Sequence, residues 1–422
     1  MKIAIVGNGI TGISAAIEAR RLKPEWEITV ISGESDFHYS RPALMYIYMG
    51  HMSYRDTKPY EDGFWRQNRI NLLRGWVTGI DSKNSRLMLH GKEPEGYDKL
   101  LLAVGSKPNK FGWPGQDLKG VQGLYDLMDL RELYENSRGL KHAVITGGGL
   151  IGIELAEMLH SRGVHVTFLV REKSYWNRVL PDEESAMVNR VIEKEGIELR
   201  LGAELAEILD GGDGRVCGVV TKDGQRIECG FVGLTAGVSP NIALAGEGGI
   251  ETGRGILVDR GFKTSAENIY SAGDGAEIVT GEERNLLQQV WYTGKAQGVA
   301  AAQAMCGMET RYEPATWFNS AKFLDLEYQT YGQVNMNVAG EENLYWERPD
   351  GLAGLRIVHA GGAVIGVNVM GLRYRHKVCE GWIEEKRPLD YVLDRLGDAN
   401  FDPEFYSLYE KEIAGVFREK TG

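Results

Sequence analysis

Two stretches of this chain repeat each other. Residues 3–16 read IAIVGNGITGISAA and residues 143–156 read AVITGGGLIGIELA. Each is a short apolar run, then Gly-x-Gly-x-x-Gly, then a helical pattern rich in small residues. In a strand–turn–helix unit the first glycine permits the tight turn. The second lets backbone approach a pyrophosphate, and the third lets helix pack on strand. Free N–H groups at the helix start then bind phosphate. One such motif is weak evidence, since glycines are common at turns; two in the same context are much stronger. An offset of 140 residues is too long for a solenoid repeat. Each copy is therefore expected to head its own nucleotide-binding region.

The flanks agree with this. After the first turn a helix is predicted over Ile13–Leu22, ending near Pro24, then a strand over Glu27–Ser32. After the second, a helix runs to about Ser161 and ends at Gly163, followed by a strand at His165–Val170. Further strands are predicted at Lys99–Val104, Arg215–Lys222, Gln225–Glu228, Phe231–Ala236 and Asn268–Ser271. DGGDGR (210–215) and KDG (222–224) read as hairpin turns. From about Glu313 the texture changes. Trp317–Val334 is aromatic and strand-like, Leu355–Val369 reads as a hairpin turning at Gly361-Gly362, and Arg387–Lys420 is amphipathic and helical.

Composition narrows the function. The chain has 55 glycines among 422 residues, nearly twice the ordinary share of ~7 %. They lack a collagen register and so serve turns or close backbone approach, with further hairpins expected around 211–224, 246–255 and 361–371. The net charge of −11, without a long Lys/Arg run, argues against nucleic-acid binding. No segment reaches the ~18 apolar residues of a membrane span. A protein without a membrane span, in the cytoplasm, is expected. The four cysteines (Cys217, Cys229, Cys306, Cys379) lie far apart, with no C-x-x-C and no zinc spacing, so no metal is expected.

Two further signals discriminate. TSAENIYSAGD (264–274) carries a strand that delivers Gly273-Asp274 to a turn. LLAVGSKP (101–108) and LTAGVSPN (234–241) each end a strand in Ala-x-Gly or Thr-Ala-Gly before a proline. Together with the two glycine turns, these strings resemble the FAD- and NAD(P)-dependent pyridine nucleotide oxidoreductases of the glutathione-reductase structural type. The redox cysteine pair of that type is missing, and YSRPAL (39–44) stands in its place. Trp291, in QVWYTGKAQG, matches a tryptophan beside the flavin in ferredoxin reductases. The likeness is therefore greatest to ferredoxin and rubredoxin reductases and to apoptosis-inducing-factor-like flavoproteins.

The resemblance implies an α/β fold with two Rossmann-like dinucleotide-binding domains and a C-terminal α+β domain. Residues 1–111 and 241–312 would form a discontinuous FAD domain, 112–240 the NAD(P) domain, and 313–422 an interface domain. FAD would be held by Gly7, Gly9, Ile10, Thr11 and Gly12, by Arg41 on phosphate or ribityl oxygens, by Asp274 and Gly273 at the ribityl chain, and by the Val77 backbone at the adenine. Ala103, Gly105 and Gly237 mark the crossings between the nucleotide domains. Glu34 would bind the adenosine ribose, because the acid expected at the end of the second strand is Ser32 here. The helix Thr293–Met305 would point its N-terminus at the flavin.

The second nucleotide would lie on Gly147, Gly149, Leu150, Ile151 and Gly152, with Glu154 near the nicotinamide. The strand that should end in an acid for NAD ends at Val170, followed by Arg171, Glu172 and Lys173. Arg171 favours the 2′-phosphate of NADPH; Glu172 keeps NADH open. The family pattern also breaks. Tyr46 occupies its lysine position, and Gln289 replaces its acidic residue before Trp291.

The activity implied is hydride transfer from NAD(P)H to FAD, then electrons to a small ferredoxin- or rubredoxin-like acceptor. No residue is required as catalytic acid or nucleophile. Reduction of a disulfide, persulfide or quinone, or NAD(P)H sensing by an interaction module, are the alternatives, and a homodimer is compatible with either. RYRHK (373–377) could steer an acidic redox protein or be a solvated loop. His38, Tyr39, Tyr46, Tyr48 and His51 are expected as packing near the flavin, and Cys306 as packing rather than a reactive thiol.

Overall fold

A computed structural model describes residues 1–336, 338–401 and 407–421. Residues 402–406, within the tail predicted to be helical, lie outside them. The chain folds as two compact units. One comprises 1–111, 122–139 and 236–313; the other comprises 112–121, 140–235 and 314–422.

The first unit is built on a five-stranded parallel sheet. Its order is Ile269–Ser271, Lys99–Leu102, Lys2–Val6, Glu27–Ser32, Ile70–Arg74. These strands are largely apolar because helices cover one face and an antiparallel meander packs on the other, so neither side needs to be polar. Ile3, Ile5, Ile28 and Val30 are buried on one side with the helix Ile10–Leu22 and the helix Trp291–Met305. Ala4, Val6, Ile31, Leu100 and Leu102 are buried on the other, with Leu87 and Leu89 of an antiparallel meander. Full burial of each such side chain contributes about 1.5–3 kcal/mol.

The second unit repeats the plan. Glu198–Leu201, His165–Val170, His142–Thr146, Phe231–Leu234 and Val121–Gln122 lie in that order, with the helix Leu150–His160 following the central strand. A five-stranded antiparallel sheet from the last hundred residues belongs to the same unit. Its order is Phe318–Phe323, Leu326–Gly332, Ala363–Met370, Gly354–Ala360, Glu342–Glu347. The predicted turn at Gly361-Gly362 is there, at positive φ in both residues. Arg356 joins this sheet to the helix Asp182–Lys194. Its guanidinium donates to both Glu184 oxygens at 2.8 Å and to Glu183 at 2.6 Å, with Arg356 and Glu184 side chains 5 % and 1 % exposed.

The stretch 246–255 departs from the hairpin expected of it. It begins in the short helix Ala243–Glu247, and only a single bridge, Thr252 to Ile256, follows. The glycines there close a helix instead of turning a strand: Gly249, at positive φ, donates to the Gly246 carbonyl.

Candidate functional site

The first glycine turn follows the strand Lys2–Val6, and its three glycines do three different things. Gly7 sits at φ +110°, and a Cβ there would lie 2.1 Å from the Ala103 carbonyl oxygen. A Cβ at Gly12 would lie 2.0 Å from the Gly7 oxygen. At Gly9 a Cβ would meet nothing within 4 Å. Packing therefore demands glycine at the outer positions but not at the middle one. Gly9 caps the helix Ile10–Leu22, which has no side-chain cap and no acid in its first turn. The N–H groups of its first turn therefore have no side-chain acceptor, and its positive dipole end is uncompensated. Thr11 is wedged where side chains at Gly273, Gly294 and Gly298 would collide with it.

A polar cluster adjoins this turn in the same unit. Arg41 donates to Glu34 at 2.8 Å and to the Tyr125 carbonyl at 2.7 Å, and its guanidinium lies 4.6 Å from the Tyr125 ring centre. Glu34 also accepts from the Tyr39 hydroxyl and, at 3.3 Å, from the Leu127 N–H at the start of a helix. Burial and the neighbouring Glu34 charge hold the Tyr39 phenol protonated, so it remains the donor. The Tyr125 hydroxyl accepts the Ser106 N–H at 2.8 Å and reaches Asp274. Burial pushes the Asp274 carboxyl up to about 6, against the pull of Arg41. Gly273 is at φ +80°, and its N–H donates to Gln297 at 2.9 Å. The sequence singled out Glu34, Arg41 and Asp274; it missed Tyr125 and Gln297.

The second turn has the same division of labour. Gly147 is at φ +118°, a Cβ at Gly152 would lie 2.2 Å from the Gly147 oxygen, and a Cβ at Gly149 would meet nothing within 4 Å. Leu150 and Ile151 open a helix that again lacks a side-chain cap. The buried Tyr175 hydroxyl donates to the Gly149 carbonyl at 3.0 Å and fixes the loop. One helical turn on, burial and the Glu157 charge push Glu154 up to about 7, while Lys322, bonded to Glu157 at 2.7 Å, pulls it down. Past Val170, Glu172 is held by Arg171 at 3.0 Å and by Arg178 at 3.4 Å.

Most of the remaining predicted residues lie in the first unit. Val77 begins a strand of the meander and packs on the Val6–Ile31 cluster. Ala103 lies under Gly7. Gly105 is at φ +67° and Gly237 at φ +88°. The strands they introduce, Ser106–Pro108 and Val238–Pro240, pair antiparallel. Trp291 is the first residue of its helix and is 37 % exposed, its ring 5.3 Å from that of Tyr292. His38 is buried with Nδ1 bonded to the Asn8 carbonyl at 2.8 Å, and Tyr48 is buried against Tyr134, which is packing, as expected. Cys306 packs partly buried, with its thiol pushed up by burial. The idea that RYRHK steers a partner is weakened. Arg373 is paired in fork fashion with Glu327, Lys377 with Glu380 at 2.6 Å, and the His376 ring stands against Phe318.

The pyridine nucleotide-disulphide oxidoreductase family matches residues 1–305 of the chain. The chain belongs to that family. With it, the chain is an oxidoreductase that works with FAD and a nicotinamide nucleotide. Over 373 residues it is 29 % identical to the nitrite reductase [NAD(P)H] of Bacillus subtilis, covering 88 % of this chain but 45 % of that protein. It is 31 % identical to an NADH oxidase of Methanocaldococcus jannaschii, over 78 % of this chain and 75 % of the other. Among solved structures, a ferredoxin reductase from Rhodopseudomonas palustris superposes with a TM-score of 0.79 at 25 % identity, over 88 % of this chain and 91 % of that one. A persulfide reductase from A. fulgidus gives 0.86 at 22 % identity, over all of this chain and 83 % of that one, a likeness of fold. Among the described residues no helix is long and apolar enough to cross a membrane.

Proposed function

We propose that this chain takes hydride from NADPH or NADH onto FAD and delivers the electrons to a small redox protein of the ferredoxin or rubredoxin kind. The observation that carries the cofactor assignment is the pair of middle glycines. Gly9 and Gly149 each hold open the space above an uncapped helix start, while packing and positive φ account for the glycines around them. A pyrophosphate fits there because it needs close backbone approach and unspent N–H donors. Gly7, Gly9, Ile10, Thr11 and Gly12 would hold the FAD pyrophosphate, Glu34 the adenosine ribose, and Asp274 the ribityl chain. Arg41, paired with Glu34 at 2.8 Å, holds that carboxylate in position as an acceptor. Gly147, Gly149, Leu150, Ile151 and Gly152 would hold the nicotinamide nucleotide.

When bound, the two cofactors supply the hydride and electron chemistry. The chain orients them and excludes water. The helix Trp291–Met305 has no side-chain cap, so its N-terminal dipole is free to stabilise negative charge. Arg171 and Arg178 surround Glu172 and offset its repulsion of a 2′-phosphate, which favours NADPH.

Reduction of a disulfide through a protein thiol is disfavoured. All four cysteines are free, and none lies in Ser40–Met45, where the related enzymes that use a thiol would place it. Free cysteines also support a reducing compartment, the cytoplasm. Anaerobic titration tests the reading. The purified yellow protein should bleach with NADPH and recover on addition of an oxidised ferredoxin or rubredoxin. A preparation that cannot be reconstituted with FAD refutes the cofactor assignment. Bleaching with no transfer to either protein refutes the acceptor.

A further inference from the structure

We infer that His142, His165 and Glu198 form a binding site for a divalent transition-metal ion, at the end of the second parallel sheet away from its glycine turn. The three residues come from three adjacent strands. His142 and His165 are register partners. Thr167 lies two residues beyond His165, hence on the same face, and its register partner is Glu198. The sheet therefore aligns two imidazoles and a carboxylate on one surface. Their ligand atoms all lie within 4.8 Å of one another. The His165 Nε2 and Glu198 Oε2 are 3.7 Å apart, and the two imidazole centres 4.6 Å.

The surroundings are those of ligands. The Glu228 backbone carbonyl lies close to the His142 ring and helps to orient it. Arg200 donates to Glu198 Oε1 at 2.8 Å, so that oxygen is spent and Oε2 faces the histidines. The Thr167 hydroxyl spans the gap, 2.9 Å from His142 Nε2 and 2.6 Å from Glu198 Oε2. Rotation of the Thr167 hydroxyl out of this gap would admit an ion, with small rotations of the imidazoles bringing the nitrogens to roughly 2.0–2.1 Å. Two imidazoles and one carboxylate suit zinc, copper, nickel or cobalt and are too nitrogen-rich for calcium or magnesium. His165 is exposed and Glu198 half-buried, so ions enter from solvent. The glycine turn begins at Gly147, five residues or roughly 16 Å along the strand. The ion therefore clamps three strands and takes no part in hydride transfer.

The test is zinc titration of the FAD-loaded full chain by calorimetry. One Zn²⁺ per chain is expected in the wild type. His165→Ala and Glu198→Gln should weaken it by more than about tenfold. His90→Ala, an exposed histidine in the other unit, should leave it unchanged. In the same protein, electron paramagnetic resonance of added Cu²⁺ should show coupling to two nitrogens, falling to one in His165→Ala. His165 is exposed, so its replacement leaves the fold intact. No stoichiometric Zn²⁺ binding in the wild type overturns the proposal. So does wild-type binding or an unchanged nitrogen pattern in His165→Ala, or an equal loss in His90→Ala.

Discussion

Replacing Gly9 by alanine separates two reasons for a glycine. At Gly12 an added methyl would lie 2.0 Å from the Gly7 carbonyl oxygen, so the fold itself objects. At Gly9 it would meet nothing within 4 Å, and the backbone there is extended, at φ −68°. The protein without FAD should therefore tolerate Gly9→Ala. The loss is confined to the poorer cap that alanine makes, up to about 1 kcal/mol. That corresponds to a melting shift of about 2–4 °C for a unit of this size. FAD binding should suffer far more. The methyl occupies the space a pyrophosphate needs and breaks at least one charge-assisted N–H to phosphate bond, worth about 1.5–3 kcal/mol. In affinity this is roughly 10- to 150-fold. The assay pairs a thermal melt of the FAD-free protein with a fluorescence titration of FAD. Wild-type FAD affinity in a folded Gly9→Ala protein would falsify the reading of the first turn.

Three other outcomes follow from the charges. Asp274 titrates near 6 in the folded protein, above the ordinary Asp value of 3.8. Folding therefore favours its neutral form. The contribution is fully present below pH 3.8 and is lost as pH rises through about 6, so Asp274→Asn should stabilise the FAD-free protein at pH 7–8 and leave it unchanged near pH 3.5. The gain is at most about 3 kcal/mol, and urea melts at the two pH values check it. Glu154 changes charge near pH 7; the rate of flavin reduction by NAD(P)H should carry a step there that Glu154→Gln removes, and an unchanged profile refutes its placement near the nicotinamide. Arg171→Ala should lower the NADPH/NADH ratio of kcat/KM by about tenfold through loss of one phosphate bond; an untouched ratio counts against NADPH.

The parts of the fold visible in the sequence are those set by local pattern. Glu27–Ser32 and His165–Val170 match the predicted strands, because a run buried on both faces is mostly apolar and β-branched. The hairpins at 210–215 and 222–224 are likewise written in their glycines. Partners distant in sequence were invisible. Tyr125, 84 residues from Arg41, meets it only once a loop and a helix start are folded together. No cysteine spacing announces His142, His165 and Glu198, since three strands contribute one residue each. The 246–255 stretch shows the opposite failure: glycines that read as a hairpin also fit the end of a short helix.

Arg356 and Glu184 have a consequence for how such a chain can be cut or recombined. Replacing the last hundred residues with a sheet that covers the same helix but lacks the arginine leaves a carboxylate that is 1 % exposed without its counter-charge. Breaking such a pair from one side destabilises by about 3–5 kcal/mol. The last hundred residues are thus not a cassette to be exchanged at will. Any substitute must bring its own cation to the same spot, or the recipient helix must give up Glu184 at the same time. In evolutionary terms the two positions are expected to change together, and a chimaera that ignores them should aggregate even when both of its parents fold.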